Sequence, residues 1–146
     1  MPSSGWNDAP LQALKNGVCA RMSYKILVVD DSRLARMAAG KALSDMYPGW
    51  TRLEAANADD AIKIAPQADM ALLDFNMPGR DGLALAEQLR GARPTMPLAI
   101  VSANGQREIV DRAEALDVTF LAKPLMEDAL RAFLGSAVRR LEAGSR

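Results

Sequence analysis

Five residues able to do chemistry stand at or just after the ends of short apolar runs: Asp30, Asp31, Asp74, Ser102 and Lys123. Carboxylates gathered in one place repel one another and raise one another's pKa unless a cation intervenes. A hard divalent ion with oxygen ligands, most simply Mg²⁺, would relieve that repulsion. A divalent cation, an ammonium group and a hydroxyl together suit a phosphoryl group, because its transfer depends on positioning and charge neutralisation.

One aspartate of this set would be the covalent acceptor, since aspartate is a known nucleophile toward phosphoryl groups. Asp74 is the best candidate because it stands alone, whereas Asp30 and Asp31 are adjacent and indicate a metal-binding pair. Taken singly, such an aspartate is more typical of a turn or a helix cap, and a lone lysine is more typical of solvated surface. These five residues stand at the ends of four separate apolar runs, and this joint placement favours a chemical role for them.

Strand and helix patterns alternate along the chain from residue 24 onward. The apolar runs predict five strands, at 26–29, 51–55, 70–73, 98–101 and 118–122, each followed by a segment with helical spacing. Ser32, Asn57 and Asp81 are predicted to be helix N-caps. Parallel strands need crossover connections, so we predict an α/β fold, a doubly wound five-stranded parallel sheet with five helices. Such sheets bind ligands at the carboxyl ends of their strands, which would bring the chemical residues into one crevice.

The composition argues against several other functions. The 146 residues include no histidine, which removes histidine acid–base catalysis, Ser-His-Asp triads and phosphohistidine donation. Lysine plus arginine equals aspartate plus glutamate at 18 each, so no basic excess favours nucleic acid. The lone Cys19 cannot form an internal disulfide, and no apolar run is long enough to span a membrane. We therefore expect a cytoplasmic protein that binds neither nucleic acid nor a membrane.

The length predicts one folded domain, which we place at residues 24–141. Residues 1–23 form an N-terminal extension, either disordered or a short helix with Leu11, Leu14 and Val18 on one face. Translation from Met22 would still leave a complete domain. The tail at 142–146 is too short for a further domain, so we expect the folded part to be this one domain.

Four motifs together resemble the receiver domain of bacterial two-component response regulators, in particular the single-domain type of the chemotaxis regulator. They are ILVVDDS at 26–32, LLDFNMPGRDG at 72–82, IVSA at 100–103 and FLAKP at 120–124. An Asp-Asp pair alone would be weak evidence, but four motifs in order and at these intervals are specific. The resemblance covers about 24 to 141 and implies the flavodoxin-like receiver fold.

The resemblance implies that Asp74 accepts a phosphoryl group from a phosphohistidine, carried by a histidine kinase or a histidine phosphotransfer protein. Asp31, Asp74 and the main-chain carbonyl of Asn76 would hold Mg²⁺, and Asp30 would join largely through water. Lys123 would pair with the phosphoryl oxygens. The chain would then not be an enzyme beyond its own phosphorylation and autodephosphorylation.

The resemblance also implies a conformational switch. Ser102 would hydrogen-bond the phosphoryl group in the active state and draw its loop inward, so that Phe120 rotates from exposed to buried. Pro124 would follow a cis peptide bond that helps to aim the preceding lysine. Asn76 and Asn104 resemble positions that tune how fast water removes the phosphoryl group, and neither carries a carboxylate that could act as a general base.

Partners would bind through the face formed by the fourth helix, fifth strand and fifth helix, and the protein would be a monomer or a phosphorylation-dependent dimer. Several positions depart from the commonest family pattern. Ser102 replaces the more usual threonine, Phe120 stands where tyrosine is also frequent, and residues 115–118 lack the family's glycine. No glycine is therefore available there for a left-handed helix cap.

Two other functions stay open from the sequence. One is a non-phosphorylated interaction module that keeps only the fold, although such proteins usually lose one of the acidic residues or the lysine. The other is a Mg²⁺-dependent phosphohydrolase of the dehalogenase-like class. Those enzymes carry a second aspartate two residues after the nucleophile, where this chain has Asn76, and their nucleophile lies on the first strand.

Overall fold

The computed structural model describes residues 23–144. Its strands are β1 (Lys25–Val29), β2 (Thr51–Ala55), β3 (Met70–Asp74), β4 (Leu98–Ser102) and β5 (Thr119–Ala122). Its α-helices are α1 (Arg33–Met46), α2 (Ala58–Ile64), α3 (Gly82–Ala92), α4 (Arg107–Ala115) and α5 (Glu127–Gly144), and a 3-10 turn at Ala65–Gln67 follows α2. The expectations for residues 1–22, including the short helix and Cys19, lie outside the described residues.

All the strands form one parallel sheet in the order β2-β1-β3-β4-β5, which confirms the predicted fold class. Both faces of the sheet are buried. Leu27 and Val29 of β1 pack into one apolar cluster, and Ile26 and Val28 of the same strand pack into the other. A strand that is apolar at every position is therefore the pattern expected of this sheet, because helices cover each face.

The three predicted N-caps are confirmed. The side chains of Ser32, Asn57 and Asp81 accept hydrogen bonds from main-chain N–H groups in the first turns of α1, α2 and α3. Each bond satisfies a donor that the helix itself leaves without a partner. The caps therefore set where each chain segment leaves the sheet edge.

Five element ends differ from the sequence prediction. β1 begins one residue earlier than expected, and β3 and β4 each end one residue later. β5 begins at Thr119, one residue later than expected, and α5 continues through Gly144, into the segment expected to be a tail. Among residues 23–144, no helix combines the length and apolar character that crossing a membrane requires.

The end of α4 contains a left-handed residue although no glycine is present. Asp117 takes this conformation, with φ of 58°, and the N–H of Val118 donates to the carbonyl of Ala113 at 2.8 Å. The carboxylate of Asp117 accepts from the guanidinium of Arg140 on α5. Aspartate is among the few residues other than glycine that adopt this backbone, so Asp117 takes the place of the glycine that is usual in the resembling family.

Candidate functional site

The carboxyl ends of the central strands place the predicted residues together. Asp30 and Asp31 follow β1, Asp74 ends β3, and each offers a carboxylate oxygen within 4.8 Å of the others. Lys123 follows β5 and extends to the same crevice, where its Nζ lies 2.7 Å from Oδ1 of Asp74. The convergence expected of a doubly wound sheet is therefore present in the described residues.

Asp74 is the most enclosed of the three aspartates, with 4% of its surface exposed. Its position at the end of β3 is fixed by the sheet, since β3 lies between β1 and β4. Lys123 is about one-third exposed, whereas the side chain of Asp74 lies deeper in the crevice. This pair presents one buried carboxylate with one cation beside it.

Asp30 is buried and its carboxylate is held in a fixed orientation. The N–H of Ser32 donates to its Oδ1 at 2.9 Å. Burial raises the pKa of Asp30; the hydrogen bond from Ser32 opposes the rise, and the nearby charge of Asp74 adds to it. The ionised form of Asp30 is therefore less stable in this site than in water, and a cation bound beside it would favour that form.

The three carboxylates fit a divalent cation. Asp31 is exposed, which leaves an approach from solvent, and the other two aspartates form the enclosed side. Oxygen donors alone, carrying net negative charge, are the ligands that Mg²⁺ prefers. Asn76, two residues beyond Asp74, is exposed, and the ligand role expected of its main-chain carbonyl stays a prediction.

Ser102 does not point its hydroxyl at Asp74. Its Oγ accepts from the N–H of Asn104 at 2.9 Å and donates to the carbonyl of the same residue at 3.3 Å. The side-chain oxygen of Asn104 in turn accepts from the N–H of Gln106. The hydroxyl expected to bind a phosphoryl oxygen is therefore satisfied within its own loop, and Ser102 is 1% exposed.

Phe120 and Pro124, the other residues expected to take part in the switch or to set its geometry, lie on and just after β5. Phe120 on β5 is half-buried and packs against the apolar cluster on the face of the sheet that includes Ile109 of α4. The peptide bond between Lys123 and Pro124 is cis, as the resemblance implied.

Gly82 was not singled out from the sequence, although it lies directly beneath the acceptor. A methyl group at Gly82 would collide with the main-chain carbonyl oxygen of Asp74, and it would lie 2.5 Å from the Cδ1 atom of Ile100. The N–H of Gly82 donates to the carbonyl of Phe75 at 2.9 Å. The first turn of α3 therefore approaches β3 as closely as only a glycine allows.

Arg36 was also missed, because its contact joins a helix to a loop and a neighbouring strand. Its Nη1 donates to the main-chain carbonyl of Asp30 at 2.6 Å, and its Nε lies 3.0 Å from the carboxylate of Glu54 on β2. Burial alone would raise the pKa of Glu54, but hydrogen bonds and charges from Arg36 and Arg52 outweigh it and lower that pKa. Glu54 is therefore held in its ionised form between two guanidinium groups.

A cavity of about 450 Å³ opens beside the carboxylates, between α1 and α5. Its walls include Ala35, Ala38, Ala39 and Ala42 of α1, with Leu130 of α5 among the residues across from them. The small alanine side chains on α1 account for the space. Asp30, Asp74 and Lys123 lie at one end of it.

Comparison with known proteins identifies the family to which this site belongs. The family model described as response regulator receiver domain matches residues 26–134, and the chain belongs to that family. It is a receiver domain of two-component signalling.

Among curated proteins, the chain is 41% identical over 93 residues to a protein of Pseudomonas putida named glycerol metabolism activator, a match that covers 62% of this chain and 42% of that protein. It is 32% identical over 124 residues to the response regulator MprA of Mycobacterium tuberculosis, covering 82% of this chain and 52% of MprA. The chain thus spans about half or less of these relatives.

Among solved structures, the chemotaxis protein CheY4 of Vibrio cholerae is 26% identical, with a TM-score of 0.71. That match covers 79% of this chain and 98% of CheY4. The similarity therefore extends over nearly the whole of a protein that consists of this fold.

Proposed function

We propose that Asp74 accepts a phosphoryl group from a phosphohistidine of a histidine kinase or a histidine phosphotransfer protein, and that the phosphorylated chain then controls a partner protein. One observation supports this above all others. A buried carboxylate lies 2.7 Å from an ammonium group and within 4.8 Å of two further carboxylates, at the ligand-binding edge of the sheet.

The chemistry is a displacement at phosphorus. A carboxylate oxygen of Asp74 attacks, the bond from phosphorus to the donor's imidazole nitrogen breaks, and an acyl phosphate forms. The departing imidazole keeps the electron pair of the broken bond and takes a proton from solvent. Lys123, already beside Asp74, neutralises charge on the phosphoryl oxygens as it develops.

Mg²⁺ fits the remaining part of the site. Asp30, Asp31 and Asp74 would hold it, with the main-chain carbonyl of Asn76 as a further expected ligand. When bound, it supplies positive charge that neutralises both the carboxylates and the phosphoryl oxygens. The chain's own residues supply the rest: the fixed carboxylate of Asp30 keeps one ligand preorganised through its bond from Ser32.

A switch follows from the hydrogen bonds of Ser102. To donate to a phosphoryl oxygen, the hydroxyl must give up the bond it donates to the carbonyl of Asn104, and its loop must move inward. That movement would free space for half-buried Phe120 to become buried. One new covalent charge would thus bias a loop and an aromatic side chain.

Partners would reach the site from two directions. Exposed apolar side chains at Leu34 and Met37 on α1, and at Met126 before α5, lie beside residues that line the cavity and would suit the approach of a protein donor. The downstream partner would use the face formed by α4, β5 and α5, where Phe120 lies. We propose a cytoplasmic setting, and a protein that is a monomer or a phosphorylation-dependent dimer.

Intact-mass measurement after incubation with acetyl phosphate and Mg²⁺ tests the proposal. We expect a gain of one phosphoryl group, its loss in Asp74→Asn, and its retention in Asp59→Asn, which removes an exposed aspartate of α2. No gain in the wild-type chain would leave the non-phosphorylated interaction module as the better account. A gain that survives Asp74→Asn would contradict the assignment of the acceptor.

The rate of phosphoryl loss tests Asn104. Its side chain bonds the loop beside Ser102, so we expect Asn104→Ala to change the lifetime of the acyl phosphate. An unchanged lifetime would remove Asn104 from the proposed function, while the acceptor role of Asp74 would stand.

A further inference from the structure

The main chain of Asp30 is held from both sides. Its N–H donates to the carbonyl of Ala55, the last residue of β2, at 3.1 Å. Its own carbonyl accepts from Nη1 of Arg36 at 2.6 Å. The N–H of Ser32 also donates to Oδ1, so the main chain and the carboxylate of Asp30 are both held. The direction in which the carboxylate faces the cluster therefore depends on where this backbone lies.

Arg36 is itself held by a second residue. Its side chain is only 15% exposed, and its Nε lies 3.0 Å from Oε1 of Glu54. The guanidinium fork thus spans two groups with separate nitrogens: a main-chain carbonyl on one side and a carboxylate on the other. Glu54 also neutralises the positive charge of Arg36. This mostly buried cation is therefore paired, although it lies close to the acidic cluster.

We propose that Arg36, oriented by Glu54, is a positioning residue for the Mg²⁺ site. It touches no ligand oxygen; it fixes the carbonyl of Asp30 and so the turn that carries Asp30 and Asp31. This inference rests on the proposed function, because it concerns the affinity of the same carboxylates for the metal. Residues that orient metal ligands commonly change affinity by roughly 10-fold to 100-fold when they are replaced.

Arg52 provides a matched control within the same cluster. Its Nε lies 3.1 Å from Oε2 of Glu54, the other oxygen of the same carboxylate. The structure gives Arg52 no hydrogen bond to Asp30 among the described residues. Removing Arg52 therefore takes away one guanidinium from Glu54 and leaves the contact of Arg36 with Asp30 in place.

The test is the dissociation constant for Mg²⁺, measured by calorimetric titration of the whole chain without any phosphoryl donor. We expect Arg36→Gln to weaken binding about 10-fold, Glu54→Gln to weaken it less, and Arg52→Gln to stay within about twofold of wild type. Arg36→Lys keeps the charge but loses the fork, so we expect it to recover affinity only partly.

A second readout needs no metal. The amide resonance of Ser32, whose N–H bonds the carboxylate of Asp30, should shift in metal-free Arg36→Gln and stay in place in Arg52→Gln. An unchanged Ser32 resonance together with a Mg²⁺ affinity within twofold of wild type would overturn the positioning role. Should both Arg36 variants fail to fold, equal affinities in Glu54→Gln and Arg52→Gln would overturn it equally. A wild-type chain that binds no Mg²⁺ would instead contradict the metal site of the proposed function.

Discussion

At the amino edge of the sheet, Arg90 donates hydrogen bonds to five main-chain carbonyls, whereas at the carboxyl edge three carboxylates share a crevice with one lysine. The carbonyls belong to the loops before β4 and β5, at Arg93, Pro94, Met96, Leu116 and Asp117. Burial lowers the pKa of Arg90, and the bonds to these carbonyls replace the water that its guanidinium gives up.

The two edges differ in how well their charges are matched. At the amino edge, the guanidinium of Arg90 donates to many acceptors, so its hydrogen bonds stabilise the fold. At the carboxyl edge, three carboxylates share one lysine, and burial together with the nearby charge of Asp74 raises the pKa of Asp30. Because the charges at the carboxyl edge are not balanced, the fold must be stabilised elsewhere. A ligand that balances those charges gains the most binding free energy at this edge.

The largest effect is expected at the amino edge. Arg90→Met removes every one of those donors and leaves the loop carbonyls without partners, so we expect a loss of about 3 kcal/mol in the free energy of unfolding. Urea denaturation measures this. Arg131→Met, which breaks only an exposed pair with Glu127, should cost less than about 0.5 kcal/mol. A loss below about 1 kcal/mol for Arg90→Met would show that the amino edge is not the stabilising one.

The next effect concerns the contact beneath the acceptor. Gly82→Ala forces a methyl group against the carbonyl of Asp74, and overpacking of this kind costs about 1 to 3 kcal/mol. Gly91→Ala lies in the same helix with nothing within 4 Å of the added methyl, so it should stabilise by about 0.5 kcal/mol or more. Thermal unfolding of both variants checks the contrast in sign, and two changes of the same sign would contradict the close approach.

At the carboxyl edge, removing a charge should stabilise the metal-free chain. Asp30→Asn can still accept from Ser32 but carries no buried charge, so we expect its stability to rise by about 1 kcal/mol without Mg²⁺. Addition of Mg²⁺ should then raise the melting temperature of the wild type much more than that of the variant. If metal-free Asp30→Asn were less stable than the metal-free wild type, the contrast between the two edges would be contradicted.

The smallest effect is a pH dependence at Glu54. Its pKa in the folded chain lies below the ordinary value, so the stability it adds is present above that ordinary value and is lost as pH falls through the lower, folded pKa. Glu54 is about one-third exposed, which limits the contribution to a few tenths of a kcal/mol. Between about pH 6 and pH 3, the free energy of unfolding should fall less steeply with falling pH in Glu54→Gln than in wild type. Parallel curves for the two proteins would exclude this contribution.

The sequence predicted those features that depend on neighbouring residues along the chain. Apolar runs marked the strands, and Ser32, Asn57 and Asp81 marked the helix starts, because capping is a contact across only a few residues. The gathering of Asp30, Asp74 and Lys123 also followed, since parallel strands place their carboxyl ends at one edge.

Contacts between distant segments of the chain could not be predicted from the sequence in this way. The bond from Arg36 to Asp30 depends on the presence of Glu54 on the neighbouring strand, and the need for Gly82 depends on how closely α3 approaches β3. The segment after α4 offered no glycine for a left-handed cap, and the sequence did not indicate that Asp117 would adopt this conformation and pair with Arg140. Each of these depends on three-dimensional packing that spacing alone does not contain.

The hydrogen bonds of Ser102 to its own loop have a consequence for signalling noise. For the proposed switch, the hydroxyl gives up the bond it donates to the carbonyl of Asn104, about 1 kcal/mol, and a charge-assisted bond to a phosphoryl oxygen returns about 1.5 to 3 kcal/mol. The net difference of about 0.5 to 2 kcal/mol shifts the ratio of the two populations by about twofold to thirtyfold, far short of ten-thousandfold. We therefore expect a measurable basal output from the unphosphorylated chain, with a level that depends on the strength of this one loop.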